Sequence, residues 1–359
     1  MVARRHAPIS DLQRPAAGGA SRRGREASAP RRHRGTRQAG FARPLLDALP
    51  VLMASDLDAV TAAFSFTGGF IARRLLAAGR RVRTLTNHPH RPGAEGMDVE
   101  VAPLQFADRE ALVESLRGVD VLYNTYWIRF PHEKLGFGDA IANTRKLMGA
   151  AADAGVRKVV HISVSNPSRD SPLDYYAGKA RTEEVVRESG LSWAVVRPTL
   201  IFGQGDVLLN NIAWMLRRFP VFFVPGNGHY RVQPVAGEDV ADIAIWAASV
   251  SEHVTVDAAG PEIIAYAELV ESIAIAIHHT RALLFSPPGL TLFASRFLGR
   301  YVKDVILTPE ELSGLMEELL VSKELPRGRT RLDDWLLRSH DTLGQKYASE
   351  LDRHFRPAL

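Results

Sequence analysis

The stretch LDAVTAAFSFTGGFIARRLLAAG, Leu57 to Gly79, decides the fold. A short apolar run, Leu57 to Ala62, gives way to a turn of small residues and then to a segment with Ile71, Leu75 and Leu76 on one helical face. Strand, phosphate loop and helix in that order open a Rossmann unit. There the glycines serve a tight turn, a close approach to a pyrophosphate and close helix-to-strand packing, and the helix N-terminus offers free N–H groups and a positive dipole end. The expected fold class is α/β: a Rossmann-type doubly wound parallel sheet with a small mixed C-terminal lobe.

Set on the spacing TGxxGxxG, the loop reads Thr61-Ala62-Ala63-Phe64-Ser65-Phe66-Thr67-Gly68, and one glycine of the three remains. Ala62 carries a Cβ where the first turn has none, so a positive φ costs it energy. Ser65 still presents a backbone N–H and a hydroxyl. The candidate cofactor contacts here are Thr61, Ala62, Ser65, Phe66, Thr67 and Gly68. Strand-turn-helix alone occurs in any α/β protein, so the weight falls on the residues beyond Gly79.

Outward from this stretch the strand and helix signals alternate. Arg81 to Thr86 (RVRTLT) is the second strand, closed by Asn87-His88-Pro89. An acid at the end of that strand binds ribose hydroxyls in NAD users, whereas a neutral or basic residue tolerates the extra phosphate of NADP. No acid lies between Gly79 and Ala94, and Asn87 and Arg91 occupy the critical place, which selects NADP over NAD. Val99 to Leu104 is a third strand; Asp108 caps a helix ending at Leu116; Val119 to Asn124 is a fourth strand, with Tyr126 and Trp127 beyond it at the end where ligands bind. A helix from Gly138 to Ala154 stops at Gly155, Lys158 to Ser163 is the fifth strand, and Leu191 to Arg197 the sixth. The sheet is expected over Leu57 to Ala248, within a cofactor domain spanning 53–250 and followed by a substrate-side lobe and helical tail, 251–359.

Between the fifth and sixth strands stand Ser163, Ser165 and then Tyr175-Tyr176-Ala177-Gly178-Lys179. A spacing of four puts Tyr175 and Lys179 on one helical face. An ammonium there favours the phenolate and lowers a phenol pKa that is ordinarily about 10. Such a tyrosine can pass a proton to or from a carbinol oxygen while a nicotinamide moves a hydride. Ser165, with Ser163 the lesser choice, can hydrogen-bond the same oxygen. The catalytic candidates are Ser165, Tyr175 and Lys179; Lys179 is also placed to reach the nicotinamide ribose. A surface lysine with a half-buried tyrosine is the structural alternative.

The landmarks AADAGVRKVVHIS, the Tyr175/Lys179 pair, VVRPTLIFG, Gln233-Pro234-Val235 and Glu238-Asp239-Val240-Ala241 together resemble the atypical short-chain dehydrogenase/reductases. The chain is similar to NmrA-like regulators and to the short-chain-dehydrogenase-like accessory subunit of respiratory complex I, over about residues 55–280. The resemblance implies an NAD(P)-dependent oxidoreductase or epimerase acting on a carbonyl or hydroxyl substrate. Some members of these families bind the cofactor without turnover, so a redox sensor or assembly subunit is the alternative. Nucleotide sugars, sterol or quinone-like lipids and small ketones all remain open as substrates.

Composition narrows the rest. In 359 residues with 46% hydrophobic content there is enough apolar material for a substantial core. Residues 1–45 carry eleven arginines and two acids, so the net charge of +5 comes from this segment and the remainder is mildly acidic. A nucleic-acid surface on the folded part is therefore not expected. Residues 1–52 read as a disordered basic leader, either an upstream extension before Met53 or an organelle transit peptide; the first gives a cytoplasmic protein. Cysteine is absent, which excludes disulfides and thiol nucleophiles, and no HExxH pattern points to a metal.

Arg231 to Val235 reads as a loop, which the resemblance implies faces substrate. The run ALLFSPPGLTLFASRFL, Ala282 to Leu298, reads as a loop plus amphipathic helix with three roles open: packing on the Rossmann domain, a lid over a lipophilic substrate, or a peripheral membrane or complex contact.

Overall fold

The computed structural model describes residues 55–94, 96–133 and 135–354. The expected leader, 1–52, lies outside them. In chain order the elements are β1 (Leu57–Thr61), α1 (Phe66–Ala77), β2 (Arg81–Leu85), β3 (Glu100–Ala102), α2 (Arg109–Leu116), β4 (Val121–Asn124), α3 (Phe137–Asp153), β5 (Lys158–Ile162), α4 (Asp174–Arg187) and β6 (Ser192–Pro198). Then come β7 (Leu200–Phe202), α5 (Leu208–Arg218), β8 (Val221–Pro225), β9 (Arg231–Val232), β10 (Pro234–Ala236), α6 (Gly237–Ser249) and β11 (Val254–Ala258). The chain continues through β12 (Ile264–Ala265), α7 (Tyr266–Ala276), β13 (Ala282–Ser286), α8 (Pro288–Val302), α9 (Pro309–Met316), α10 (Leu332–Ser339) and α11 (Glu350–His354).

Seven strands form one parallel sheet in the order β3-β2-β1-β4-β5-β6-β11. The order reverses between β1 and β4, and the crevice above that switch point is where such sheets bind ligands. Side chains alternate between the two helical layers, as the two-residue period of a strand requires. Leu57 and Ala59 join Leu112, Leu122 and Leu147 on one face, whereas Val60 joins Ile71, Leu75 and Val240 on the other. Both faces are covered, which is why these strands read as continuous apolar runs. Asp108 does cap α2, accepting from Ala111 N–H at 3.0 Å, and Gly155 follows α3 with φ +75°.

Several expectations shift. The third strand is confined to Glu100–Ala102. Arg231 to Val235 is not a loop: β9 pairs with β12 and β10 with β7, so its backbone is used in two small ladders. The seventh strand, Val254–Ala258, pairs with β6 beyond residue 250, so a boundary at 250 separates the sheet from its own edge strand.

The smaller lobe has its own core, in which α5, β8 and α7 bury Leu209, Ile212, Phe222, Val224, Leu269 and Ile273, and α10 adds Trp335 and Leu336. Residues Ala282–Ser286, expected as a loop, pair in parallel with β8, whose edge supplies their hydrogen-bond partners.

Candidate functional site

The phosphate loop forms with alanine in its first turn. Ala62 adopts φ +55°, its N–H continues the ladder to Leu85, and Ser65 N–H closes the turn on the Ala62 carbonyl at 2.8 Å. Thr61 ties the ends of β1 and β4 together, its hydroxyl accepting from Thr125 N–H at 2.7 Å. Ala63 N–H donates to the Thr84 hydroxyl at 3.0 Å, which fixes the loop to β2. A Cβ on Gly68 would lie 2.3 Å from the Ala62 carbonyl oxygen, so this position admits glycine alone without displacement. Ser65 is the N-cap of α1, its side chain makes no capping bond, and the first turn carries no acid. The N-terminus of α1 thus presents N–H groups and a positive dipole end to an anion. These residues fit the pyrophosphate of a dinucleotide.

Around the loop the cations gather. Gly93 packs against the Phe64 carbonyl, bringing the segment after β2 over the loop. The Arg91 guanidinium is held below its ordinary pKa by burial and by the charge of Arg353. Arg353, from α11, lies over the Phe66 ring at 5.8 Å and donates to the Gly205 carbonyl. Asn87 is turned elsewhere: its amide donates to the Leu104 carbonyl at 2.9 Å and accepts from Leu104 N–H at 3.1 Å. It knits β2 to the chain after β3.

Tyr175 and Lys179 share the inner face of α4 but engage different neighbours. Lys179 is buried; its Nζ donates to the Ile162 carbonyl at 3.1 Å and sits 4.9 Å from the centre of the Trp127 ring. Burial pushes its pKa down to about 7, Glu183 only partly opposing. Tyr175 stands edge-on to Trp127 and Phe137, at 6.0 and 6.1 Å. Its phenol is held above the ordinary value, first by burial and then by the Glu311 carboxylate, and the cation that opposes this is Arg129. The expected lowering by Lys179 is thus reversed, because the ammonium is drawn to β5 and the indole.

The serines are also engaged. Ser165 donates to the Leu319 carbonyl at 2.6 Å, and Asn166, at φ +51°, donates to Leu319 and Val321. Ser163 donates to Glu183 at 2.6 Å. A segment of the C-terminal region, 319–322, therefore lies across the end of β5, and Ser322 completes it by donating to Asp257 at 2.6 Å. Arg231 is bound through both backbone and guanidinium to Glu318. The geometry brings Tyr175 to the cleft, whereas Ser165 is fully buried against Leu319 and does not line it.

That cleft is large and apolar, about 1740 Å³. Tyr175, Tyr176, Phe66 and Arg129 line its floor side, α5 and β8 contribute Trp214 and Phe222, and α8 contributes Phe293 and Phe297. Arg129, Glu311, Asn166 and Arg353 were missed in the sequence. Each acts through a partner more than a hundred residues away, and the sequence carries no local signal of that. Of the two aromatics beyond β4, Trp127 faces Lys179 and Tyr175, and its indole N–H has no hydrogen-bond partner among the described residues. Tyr126 instead accepts from Asn143 at 3.0 Å.

Comparison with known proteins matches residues 63–206 to a family described as NAD(P)H-binding. A (4-alkanoyl-5-oxo-2,5-dihydrofuran-3-yl)methyl phosphate reductase from Streptomyces griseus is 32% identical over 188 residues, covering 52% of this chain and 59% of that protein. The mitochondrial NADH dehydrogenase 1 alpha subcomplex subunit 9 of Dictyostelium discoideum is 25% identical, over 60% of this chain and 62% of that one. The chain spans about three fifths of the length of these relatives. Among solved structures, an Escherichia coli NADPH-dependent quinone oxidoreductase complexed with NADPH superposes with TM-score 0.61 at 17% identity, covering 79% of this chain and 99% of that one. A Bacillus cereus UDP-N-acetylglucosamine 4-epimerase gives TM-score 0.59 at 15% identity, over 81% and 97%. At these identities the structural likeness speaks for the fold.

Proposed function

We propose that the chain, whose residues 63–206 match an NAD(P)H-binding family, is an NADP(H)-dependent oxidoreductase of the atypical short-chain dehydrogenase/reductase type, acting on a carbonyl or hydroxyl of a lipophilic substrate. The observation that carries this is Tyr175 standing on the wall of an apolar cleft whose volume exceeds that of most small-molecule sites. When bound, the nicotinamide supplies or accepts the hydride. The chain's own residues do the rest. Ser65 to Gly68 hold the pyrophosphate, Arg91 faces the ribose phosphate of NADP, and Lys179 reaches the nicotinamide ribose. Tyr175, un-ionised because burial and Glu311 raise its pKa, donates its proton to the carbonyl oxygen during reduction. The apolar walls exclude water from that transfer. The name of the Streptomyces relative, a reductase, supports the oxidoreductase reading.

A second reading, a cofactor-binding accessory or redox-sensing protein without turnover, is favoured by one observation: Ser165 and Asn166 are tied to Leu319 and Val321. The likeness to a complex I accessory subunit supports it. NADPH oxidation followed with long-chain ketones and quinones distinguishes the two. Substrate-dependent oxidation that Tyr175→Phe removes is expected. Tight NADPH binding with no oxidation across the panel would select the second reading, and failure to bind either cofactor would reject both.

A further inference from the structure

Helix α8 is seated by its back and bare on its front. Thr291 and Gly299 are buried: the Thr291 hydroxyl pairs with Ser286 at 2.8 Å, and a Cβ on Gly299 would lie 2.6 Å from the Asp304 carbonyl. Leu290, Phe293, Phe297 and Tyr301 recur at spacings of three and four, so they share the opposite face. The three aromatics are 68%, 73% and 77% exposed. A soluble face normally mixes single apolar residues with polar ones, and a contiguous aromatic stripe calls for a partner.

Charge identifies that partner. From Arg281 to Lys303 the sequence holds four basic residues and no acid. Arg296 and Arg300 are exposed, four apart, and flank the stripe on one side. An apolar face of Phe and Leu beside an arginine flank is the make-up of a helix that lies in a membrane interface. A second copy of the chain would bring these arginines together across a two-fold axis, which opposes self-association through this face. The same aromatic side chains line the cleft that reaches Tyr175, so the stripe opens inward as well as outward.

We propose that α8 docks this protein on the surface of an anionic phospholipid bilayer. Leu290, Phe293, Phe297 and Tyr301 enter the boundary between headgroups and acyl chains, and Arg296 and Arg300 face the phosphates. Docking needs neither cofactor nor turnover, so it stands apart from the hydride chemistry.

Flotation of the full chain with two kinds of vesicle, phosphatidylcholine alone and phosphatidylcholine with about one third phosphatidylglycerol, tests this without added cofactor. The protein is expected to float with the anionic vesicles at about 50 mM salt and several-fold less at about 500 mM. Phe293→Ser with Phe297→Ser should cut flotation about tenfold. Arg296→Gln with Arg300→Gln should remove most of the salt-sensitive part while the melting temperature of each variant stays near that of the parent. No flotation of the parent with either vesicle would overturn the proposal. So would unchanged flotation of the two double variants, or sedimentation showing a dimer that Phe297→Ser dissociates in a protein that ignores vesicles.

Discussion

Arg129 and Glu311 form an ion pair across 182 positions of the chain, fastening the loop after β4 to the first turn of α9. The same guanidinium lies 3.3 Å from Glu350 and donates to the Ile306 carbonyl at 3.3 Å, so one side chain gathers three C-terminal segments. Glu311 also closes the cap of α9, accepting from Thr308 N–H at 2.9 Å. Because the carboxylate raises the Tyr175 phenol, the fastening and the proton donor are electrically linked.

Removing one partner leaves the other charge half-buried. Glu311→Gln and Arg129→Met are each expected to cost about 2–4 kcal/mol, and the double variant less than the sum. Urea unfolding of the four proteins measures the coupling. Additive losses would mean that the pair does not hold the segments down.

Tyr175→Phe should lower kcat by about 10²–10⁴ while NADPH affinity changes less than about twofold. Ser165→Ala should lower kcat by less than about tenfold, because that hydroxyl serves the Leu319 carbonyl and its loss is felt in stability, about 1 kcal/mol. Steady-state kinetics with parallel cofactor titrations compare the two. An equal collapse of kcat in Ser165→Ala would put that serine on the reacting oxygen.

The two ends of the phosphate turn should respond oppositely. Ala62→Gly relieves a left-handed alanine and should stabilise the apo protein by about 1 kcal/mol. Gly68→Ala forces a Cβ toward the Ala62 carbonyl and should cost about 1–3 kcal/mol with a loss of NADPH affinity of at least about tenfold. Thermal melts and fluorescence titration report both. Unchanged NADPH affinity in Gly68→Ala would remove the pyrophosphate from this loop.

Lys179 gives the apo protein a pH signature. Its pKa falls from the ordinary 10.5 to about 7 in the folded chain, so the unfolded chain binds more protons between those values. Folding stability from this group is fully present above the unfolded value and is lost as pH falls toward 7. Between pH 7 and pH 9 the parent should gain about 2 kcal/mol relative to Lys179→Met. Urea midpoints at both pH values test the slope, and parallel lines for the two proteins would mean the ammonium is not desolvated.

The fold was legible wherever the signal is local. The run from Leu57 to Thr61, the glycine after α3 and the capping Asp108 each announce themselves within a few residues, and the alternation they begin leads to a parallel sheet. The turn between β1 and α1 was legible despite its two missing glycines, because Gly68 keeps the close approach to the Ala62 carbonyl that a Cβ would block. Asn87 misled for the opposite reason. Its position at the end of β2 is right for a ribose, but a carboxamide can bond a backbone on both sides, and Leu104 was near enough to take it. Arg129 could not be read at all, since nothing in WIRFP foretells carboxylates at 311 and 350. The pH behaviour of Tyr175 was misjudged on a related account: burial first, and then the distant Glu311 carboxylate, not the lysine four residues on, set its environment.

The placement of β11 and Arg129 also gives the protein an order of assembly. The parallel sheet and the phosphate loop are complete in sequence by Ala258, whereas the groups that Arg129 and Ser165 hold begin only at Ile306. During synthesis at ~5–20 residues per second, the sheet therefore leads the residues that Arg129 and Ser165 hold by several seconds, and those two side chains wait without these partners until the C-terminal region emerges.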